Sequence, residues 1–306
     1  MTDIAVADEV RTAVAEGKAV VALESTLLSH GLPPGRNRKV AARLEAVVRD
    51  AGAVPATIAV LDGQPHVGLN ADQLDRVCDP AAELVKLSRR DLGPAIAMGQ
   101  SGATTVASTS ALADVAGIGV FGTGGLGGVH LPLPGRSMSW DVSADMEALA
   151  TTPVVVVCSG VKSVLDIEAT LELLETRSVP VLGYRTDSFP SFYLRESAFS
   201  VPWRVDTPEQ AAAVVAAHRA LPGRSGVLLT NPIPAEHEMD REIHDRLLAD
   251  GLRLLSERGV QGRDVTPVLL EHFHTASEGL SLDANEELVV SNVTLAAQVA
   301  VELVKT

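Results

Sequence analysis

Lysine is scarce in this chain: Lys18, Lys39, Lys86, Lys162 and Lys305 stand against twenty arginines. Lys162 follows the most apolar run, residues 154–158, and precedes a helical pattern that starts near Ser163. Burial penalises a charged amine, and moving its pKa from ~10.4 to ~7 takes about 4.6 kcal/mol of environmental bias. A neutral amine so placed can attack a sugar aldehyde and form a Schiff base. The same position equally suits a lysine paired with an acid or holding a phosphate as a fixed charge. Glu24 lies in Leu23-Glu24-Ser25-Thr26, with His30 close behind, and suits a proton donor or acceptor as well as a strand-end cap. Asp141 and Asp145 are four apart, so on a helix they share one face. They read either as a hard-cation site that keeps several waters or as an N-cap with its dipole partner. The basic cluster 86–92 (KLSRRDL) could hold a phosphate monoester through Lys86 or the arginines, or be a solvated helix end.

Gly122, Gly124 and Gly127 match GxGxxG, and Asp141 stands near the offset of a ribose-binding acid. That reading needs a helix directly after the glycines, whereas the chain continues HLPLPGRSMSW, with two prolines and no helical period. Backbone amides wrapped around a small ligand, or an ordinary glycine-rich loop, fit the segment better. His66, His272 and His274 fit no metal spacing, and Asn231 before Pro232 reads as a turn.

These groups must be positioned by the elements between them. Short β-rich runs at 19–23, 54–61, 95–98, 118–121, 154–158, 179–184 and 227–230 alternate with helical patterns at 37–50, 80–87, 103–116, 143–149, 164–176 and 208–220. The alternation predicts an α/β fold whose largely parallel sheet is covered on both faces. Asp79 and Pro80 form a good helix start. Beyond about residue 232 the strands stop, and 235–259 and 283–304 read as long helices. The irregular stretches 121–140 and 187–204 are candidate binding loops. No repeat or linker divides residues 1–306, so one domain is expected. In such sheets ligands collect at the carboxyl ends of the strands, where Glu24, the glycines, Lys162 and Asn231 all fall.

The chain has 306 residues, 46% of them apolar, and a net charge of −14. Such a balance argues against a broad face for nucleic acid or anionic membrane and leaves room for one small phosphate in a pocket. Cys78 and Cys158 fit no CxxC or zinc spacing, no basic leader precedes an apolar stretch, and no run approaches ~18 apolar residues. A cytoplasmic, soluble protein is expected.

The segments 23–32, 52–62 (GAVPATIAVLD), 86–92, 102–106 (GATTV), 123–130 (TGGLGGVH), 141–145 (DVSAD), Lys162-Ser163 and 231–234 (NPIP) together resemble the pseudouridine-5′-phosphate glycosidase family, which includes indigoidine synthase A-like relatives. The resemblance runs in order from about residue 20 to the C-terminus. It implies a three-layer α/β/α core with a largely parallel or mixed sheet, a helical C-terminal region and a homotrimer. It also implies reversible cleavage of a carbon–carbon glycosidic bond by a Schiff-base lyase, giving uracil and ribose 5-phosphate. Position by position, Lys162 would be the nucleophile, Glu24 the general acid/base and Asp141 the ligand of one Mn2+ per subunit. Lys86, Val106, Thr123, His130, Ser143, Ala144, Asp145 and Asn285 would contact substrate, with Asn292 the other asparagine available for the last role. A C-glycoside has no leaving oxygen to protonate, so a covalent electron sink is needed, and an amine supplies one. The chain departs from the family's usual run at 131–140 (LPLPGRSMSW) and 269–281 (LLEHFHTASEGLS). Alternatives are a related sugar-phosphate lyase or aldolase acting on another C-nucleotide or pigment-pathway substrate, and a non-catalytic nucleotide-binding protein.

Overall fold

The computed structural model describes residues 4–132, 140–163, 165–260 and 265–306; most of the 131–140 stretch lies outside the described residues. The chain begins β1 (Ala5–Val6), α1 (Asp8–Ala15), β2 (Val20–Leu23), α2 (Thr26–His30), α3 (Arg36–Asp50), β3 (Val54–Leu61), β4 (Gln64–Val67) and α4 (Ala71–Cys78). It continues β5 (Val85–Leu87), α5 (Leu92–Ala97), β6 (Gly102–Thr104), α6 (Val106–Val115), β7 (Val120–Gly122), β8 (Val129–His130), α7 (Ala144–Thr151) and β9 (Val155–Cys158). The remainder is β10 (Leu165–Asp166), α8 (Ile167–Thr176), β11 (Val181–Tyr184), β12 (Trp203–Val205), α9 (Pro208–Arg219), β13 (Val227–Thr230), α10 (Arg241–Arg258), α11 (Val265–Ala276) and α12 (Leu280–Leu303).

The main sheet runs β1-β4-β3-β2-β7-β9-β13-β11-β12. From β3 to β12 every pair is parallel. The inner strands β2, β9 and β13 are buried at every residue, as a strand covered on both faces must be. The other edge is mixed. The first half of β3 pairs with β2, while its second half runs antiparallel to β4 and β6. Asp62 and Gly63, both at positive φ, close the β3–β4 hairpin, the Asp-Gly signal for a turn whose twist suits paired strands. α3, α9 and α12 cover one face, and α6 and α7 pack together on the other. α12 is buried along most of its length and crosses β2, β7 and β9, so Ser281, Asn285 and Asn292 are polar groups carried inside the molecule.

Three expectations are corrected. Residues 95–98 lie in and just beyond α5, not in a strand: four apolar residues carry no period, alanine and methionine favour helix, and Met98 is exposed. The stretch 80–87 is a single 3-10 turn followed by β5, because Glu83 takes a left-handed conformation that ends the turn. Asp79 does cap that turn, accepting from the Ala81 amide. The pattern at 103–116 also divides into the end of β6 and α6.

Candidate active site

Strands β2, β7 and β9 deliver Glu24, Gly124-Gly125 and Lys162 to one cavity at their carboxyl ends. Lys86 enters from β5, His30 from α2 and Asn285 from α12, while Phe192, Pro267 and Leu270 supply apolar wall. The cavity thus joins one carboxylate, two amines, an imidazole and a carboxamide drawn from five separate segments.

Glu24 is the most perturbed acid of the site. Burial pushes its pKa above the usual carboxylate range, and the Asp145 charge adds to that push. Lys162, the Thr123 hydroxyl that donates to Oε1, and Lys86 pull the other way without cancelling it. A carboxyl held up in this way keeps its proton to higher pH than an exposed one and can donate it. His130 lies near the same charges: burial lowers its pKa against the pull of Asp141, and Lys162 and Lys86 lower it further. Its neutral imidazole form is therefore favoured.

The glycine loop is fixed on all sides. Thr123 N–H donates to Val157 O at 2.9 Å, Leu126 N–H to Gly160 O at 2.9 Å and Lys162 N–H to Leu126 O at 3.2 Å. The buried Asp145 carboxylate accepts from Gly127 N–H at 2.9 Å and from Ala107 N–H at 3.0 Å, tying the loop to the start of α6. Asn292, with no exposed surface, donates to Thr123 O at 2.9 Å and Gly124 O at 3.1 Å. Glycine is required at Gly125, where a Cβ would fall 2.5 Å from the Phe192 ring. Gly160 combines φ +78° with a Cβ site only 1.9 Å from Pro190 O. The glycines lead into β8 rather than a helix, so the arrangement a dinucleotide site requires is missing from this segment.

The residues named from sequence separate into three groups. Glu24, Lys86, Lys162 and Asn285 line the cavity, and Thr123 touches Glu24 behind it. The two asparagines divide: Asn285 faces the cavity and Asn292 fastens its loop. Val106 is buried at the first turn of α6, Ser143 caps α7 by accepting from Asp145 N–H at 3.2 Å, and Ala144 is exposed beside it. His130 lies in β8, its N–H donating to Asp141 O at 2.9 Å. The arginines of the 86–92 cluster turn elsewhere, Arg89 to Thr151 and Arg90 to solvent near Asp91.

The paired-acid reading is corrected. α7 starts at Ala144, so Asp141 precedes it beside the Val129–Val142 bridge, and Asp145 spends its carboxylate on two amides. Among the described residues no three His, Cys, Asp or Glu side chains gather to hold a metal. Asp141, which the resemblance names as the metal ligand, lies beside His130 and has an interaction of its own. A hard divalent ion kept by one or two carboxylates and several waters is compatible with that donor set.

Sequence reasoning missed Phe192, whose backbone sits at φ 57° in the left-handed region while its ring walls the cavity. Its position inside the flagged 187–204 loop was the available signal. It also read Asn231 as a simple turn. Asn231 Nδ2 instead donates to Ser291 Oγ and Asn292 Oδ1, both at 3.0 Å. An asparagine in the apolar run of α12 was the clue to that network. Cys158 is the inert buried thiol expected, pushed up to about 12 by burial.

The family model of indigoidine synthase A like protein matches residues 9–302. A pseudouridine-5′-phosphate glycosidase from Streptomyces griseus is 53% identical over 96% of this chain and 90% of its own length. Another from Herpetosiphon aurantiacus is 50% identical over 99% of both chains. Among solved structures, the prealnumycin C-glycosynthase AlnA in complex with ribulose 5-phosphate superposes with TM-score 0.90 at 39% identity, covering 99% of this chain and 97% of that one. An indigoidine synthase A-like protein from Thermotoga maritima gives 0.88 at 34%, with the same coverage. With a family model matching nearly end to end and relatives half identical over nearly the whole length, this chain belongs to the indigoidine synthase A like family, the enzymes named pseudouridine-5′-phosphate glycosidases.

Proposed function

We propose that this chain reversibly cleaves the C–C bond of pseudouridine 5′-phosphate, giving uracil and ribose 5-phosphate through a Schiff base on Lys162. The observation that carries the reading is the convergence of Lys162, Glu24 and Lys86 on one cavity beside a glycine loop. The names of the half-identical relatives support the substrate, and the ribulose 5-phosphate of the AlnA complex supports a sugar phosphate in such a cavity.

The chemistry follows from the groups present. Protonated Glu24 donates to the ring oxygen as the C1′–O4′ bond opens, and the electron pair of that bond leaves with the oxygen. The Lys162 amine then adds to C1′, forming a C–N bond and losing a proton. Collapse to the iminium breaks the C1′–C5 bond, and uracil C5 takes that bond's electron pair and a proton returned through Glu24. Water adds to the iminium carbon and releases ribose 5-phosphate and the free amine. Lys86 is the fixed positive charge for the phosphate. Neutral His130, Thr123, Asn285, Ser143, Ala144, Asp145 and Val106 are proposed to shape or contact the substrate, several of them through the loop they brace. One Mn2+ held by Asp141 and waters would orient water and substrate oxygens. The cavity volume is about 50 Å3, which is room for one or two waters, so a nucleotide enters only with movement of its walls.

Incubation with pseudouridine 5′-phosphate and Mn2+, followed for uracil, tests the reading; folded protein that releases none overturns it. Borohydride should trap ribose 5-phosphate as a mass adduct on Lys162, and an adduct elsewhere or none would remove the Schiff base. A homotrimer, as the resemblance implies, should show in sedimentation. Cytoplasmic residence accords with two free, buried cysteines, and no described helix is long and apolar enough to cross a membrane.

A further inference from the structure

One buried titratable group lies beside the nucleophile and outside the chemistry above. His244, on the first turn of α10, has a side chain only 4% exposed. Its Nδ1 lies 2.9 Å from Oδ1 of Asp245, and its Nε2 lies 2.9 Å from Oγ of Ser163, the residue after Lys162. With Nδ1–H donating to the carboxylate, Nε2 is left as the acceptor for the serine hydroxyl. Burial keeps the imidazole below its usual range, which favours this neutral form.

We propose that Asp245, His244 and Ser163 form a positioning relay that sets the turn carrying Lys162 from the helices roofing the cavity. Asp245 fixes the imidazole, the imidazole holds Ser163, and the turn closes as Leu165 N–H donates to Lys162 O at 2.9 Å. The preceding side of the turn is held by the Lys162 N–H on Leu126 O, so the backbone of the lysine is clamped from both directions. The same histidine packs on Phe273 of α11, with ring centroids 5.8 Å apart, and Phe273 stacks on Tyr193, which meets Phe192 edge-on in the cavity wall. Pro267 and Leu270 of the same helix form part of that wall. The roof and the nucleophile therefore share one buried anchor. The order Asp–His–Ser activates a nucleophilic serine in hydrolases, but Ser163 does not line the cavity, and its hydroxyl serves as a tether.

The inference rests on the reading of Lys162 as the nucleophile, and the test separates the two. Ser163→Ala and His244→Phe should each lower kcat for uracil release about tenfold with KM changed less than about threefold, and the double variant should be no worse than the poorer single. Borohydride trapping of ribose 5-phosphate on Lys162 should slow in parallel. His244→Gln, whose carboxamide oxygen can accept from Ser163, should recover most of the lost kcat. Ser163→Ala removes one oxygen and keeps the fold testable if His244→Phe does not fold. Additive losses, a change confined to KM, or undiminished trapping in Ser163→Ala would overturn the relay while wild-type trapping leaves the lysine reading intact. Absence of trapping in the wild type would remove the lysine reading and the relay with it.

Discussion

The two ends of the central sheet carry openings of opposite character. At the amino end, a cleft of about 380 Å3 lies among Asp114, Pro153, His218, Arg219 and Arg224. It is the roomier of the two, yet its polar groups are occupied. Arg224 pairs with Asp114 at 2.7 Å, Arg219 donates to Gly119 O at 2.8 Å and Pro153 O at 3.2 Å, and His218 meets Ser225. At the carboxyl end the cavity is about 50 Å3, but it confines Glu24, Lys86 and Lys162 together. Volume alone therefore picks the wrong end. What marks a site is functional groups held against their solvation, with neighbours that change their proton affinity.

That contrast can be broken by substitution. Lys162→Ala should reduce uracil release by at least about a thousandfold in a steady-state assay, because the covalent electron sink has no substitute. Retention of a tenth of the rate would show that the amine is only a charge. Lys86→Ala should come next, raising KM about tenfold or more with a smaller change in kcat; equal, mild losses in both lysine variants would contradict their separate roles.

Asp145→Ala leaves the buried amide of Ala107 and the half-buried amide of Gly127 without an acceptor. Each such orphan costs about 1–3 kcal/mol, so thermal unfolding should move down by several degrees along with the loss of activity. An unchanged midpoint would mean that the glycine loop is not held by this carboxylate. Thr123→Val should act through pH. The cleavage rate should fall as pH rises through the raised Glu24 pKa, because the proton to be donated is lost. Removing the hydroxyl that favours the carboxylate should shift this alkaline limb to still higher pH. A shift downward in the pH–rate profile would contradict the acid role. At the other end, Arg224→Ala should leave uracil release unchanged and cost no more than about 1 kcal/mol in denaturant unfolding, as exposed ion pairs do. A marked loss of activity would erase the distinction between the ends.

How much could be read in advance differs between the two kinds of region. Strands buried on both faces, such as β9 and β13, announce themselves as unbroken apolar runs, and Lys162 stands out because a charge follows one of them. The α5 and β5 stretches could not be read, because short segments of mixed character take their form from neighbours: Gly102 and Leu87 pack together where β5 meets β6. Asp141 and Asp145 have the spacing of a helical pair, but the helix start at Ala144 sends them to different work.

The sequence by itself determined the α/β alternation, the carboxyl-end location of the candidate site and, through its motifs, the family. These rest on local pattern, since residue type and spacing decide which runs can be buried and which strand ends carry polar groups. The tertiary structure alone decided which asparagine faces the cavity, which acid braces the glycine loop and which histidine reaches Ser163. Those partners lie from tens of residues to well over a hundred apart, and only close packing selects among side chains that spacing leaves equivalent.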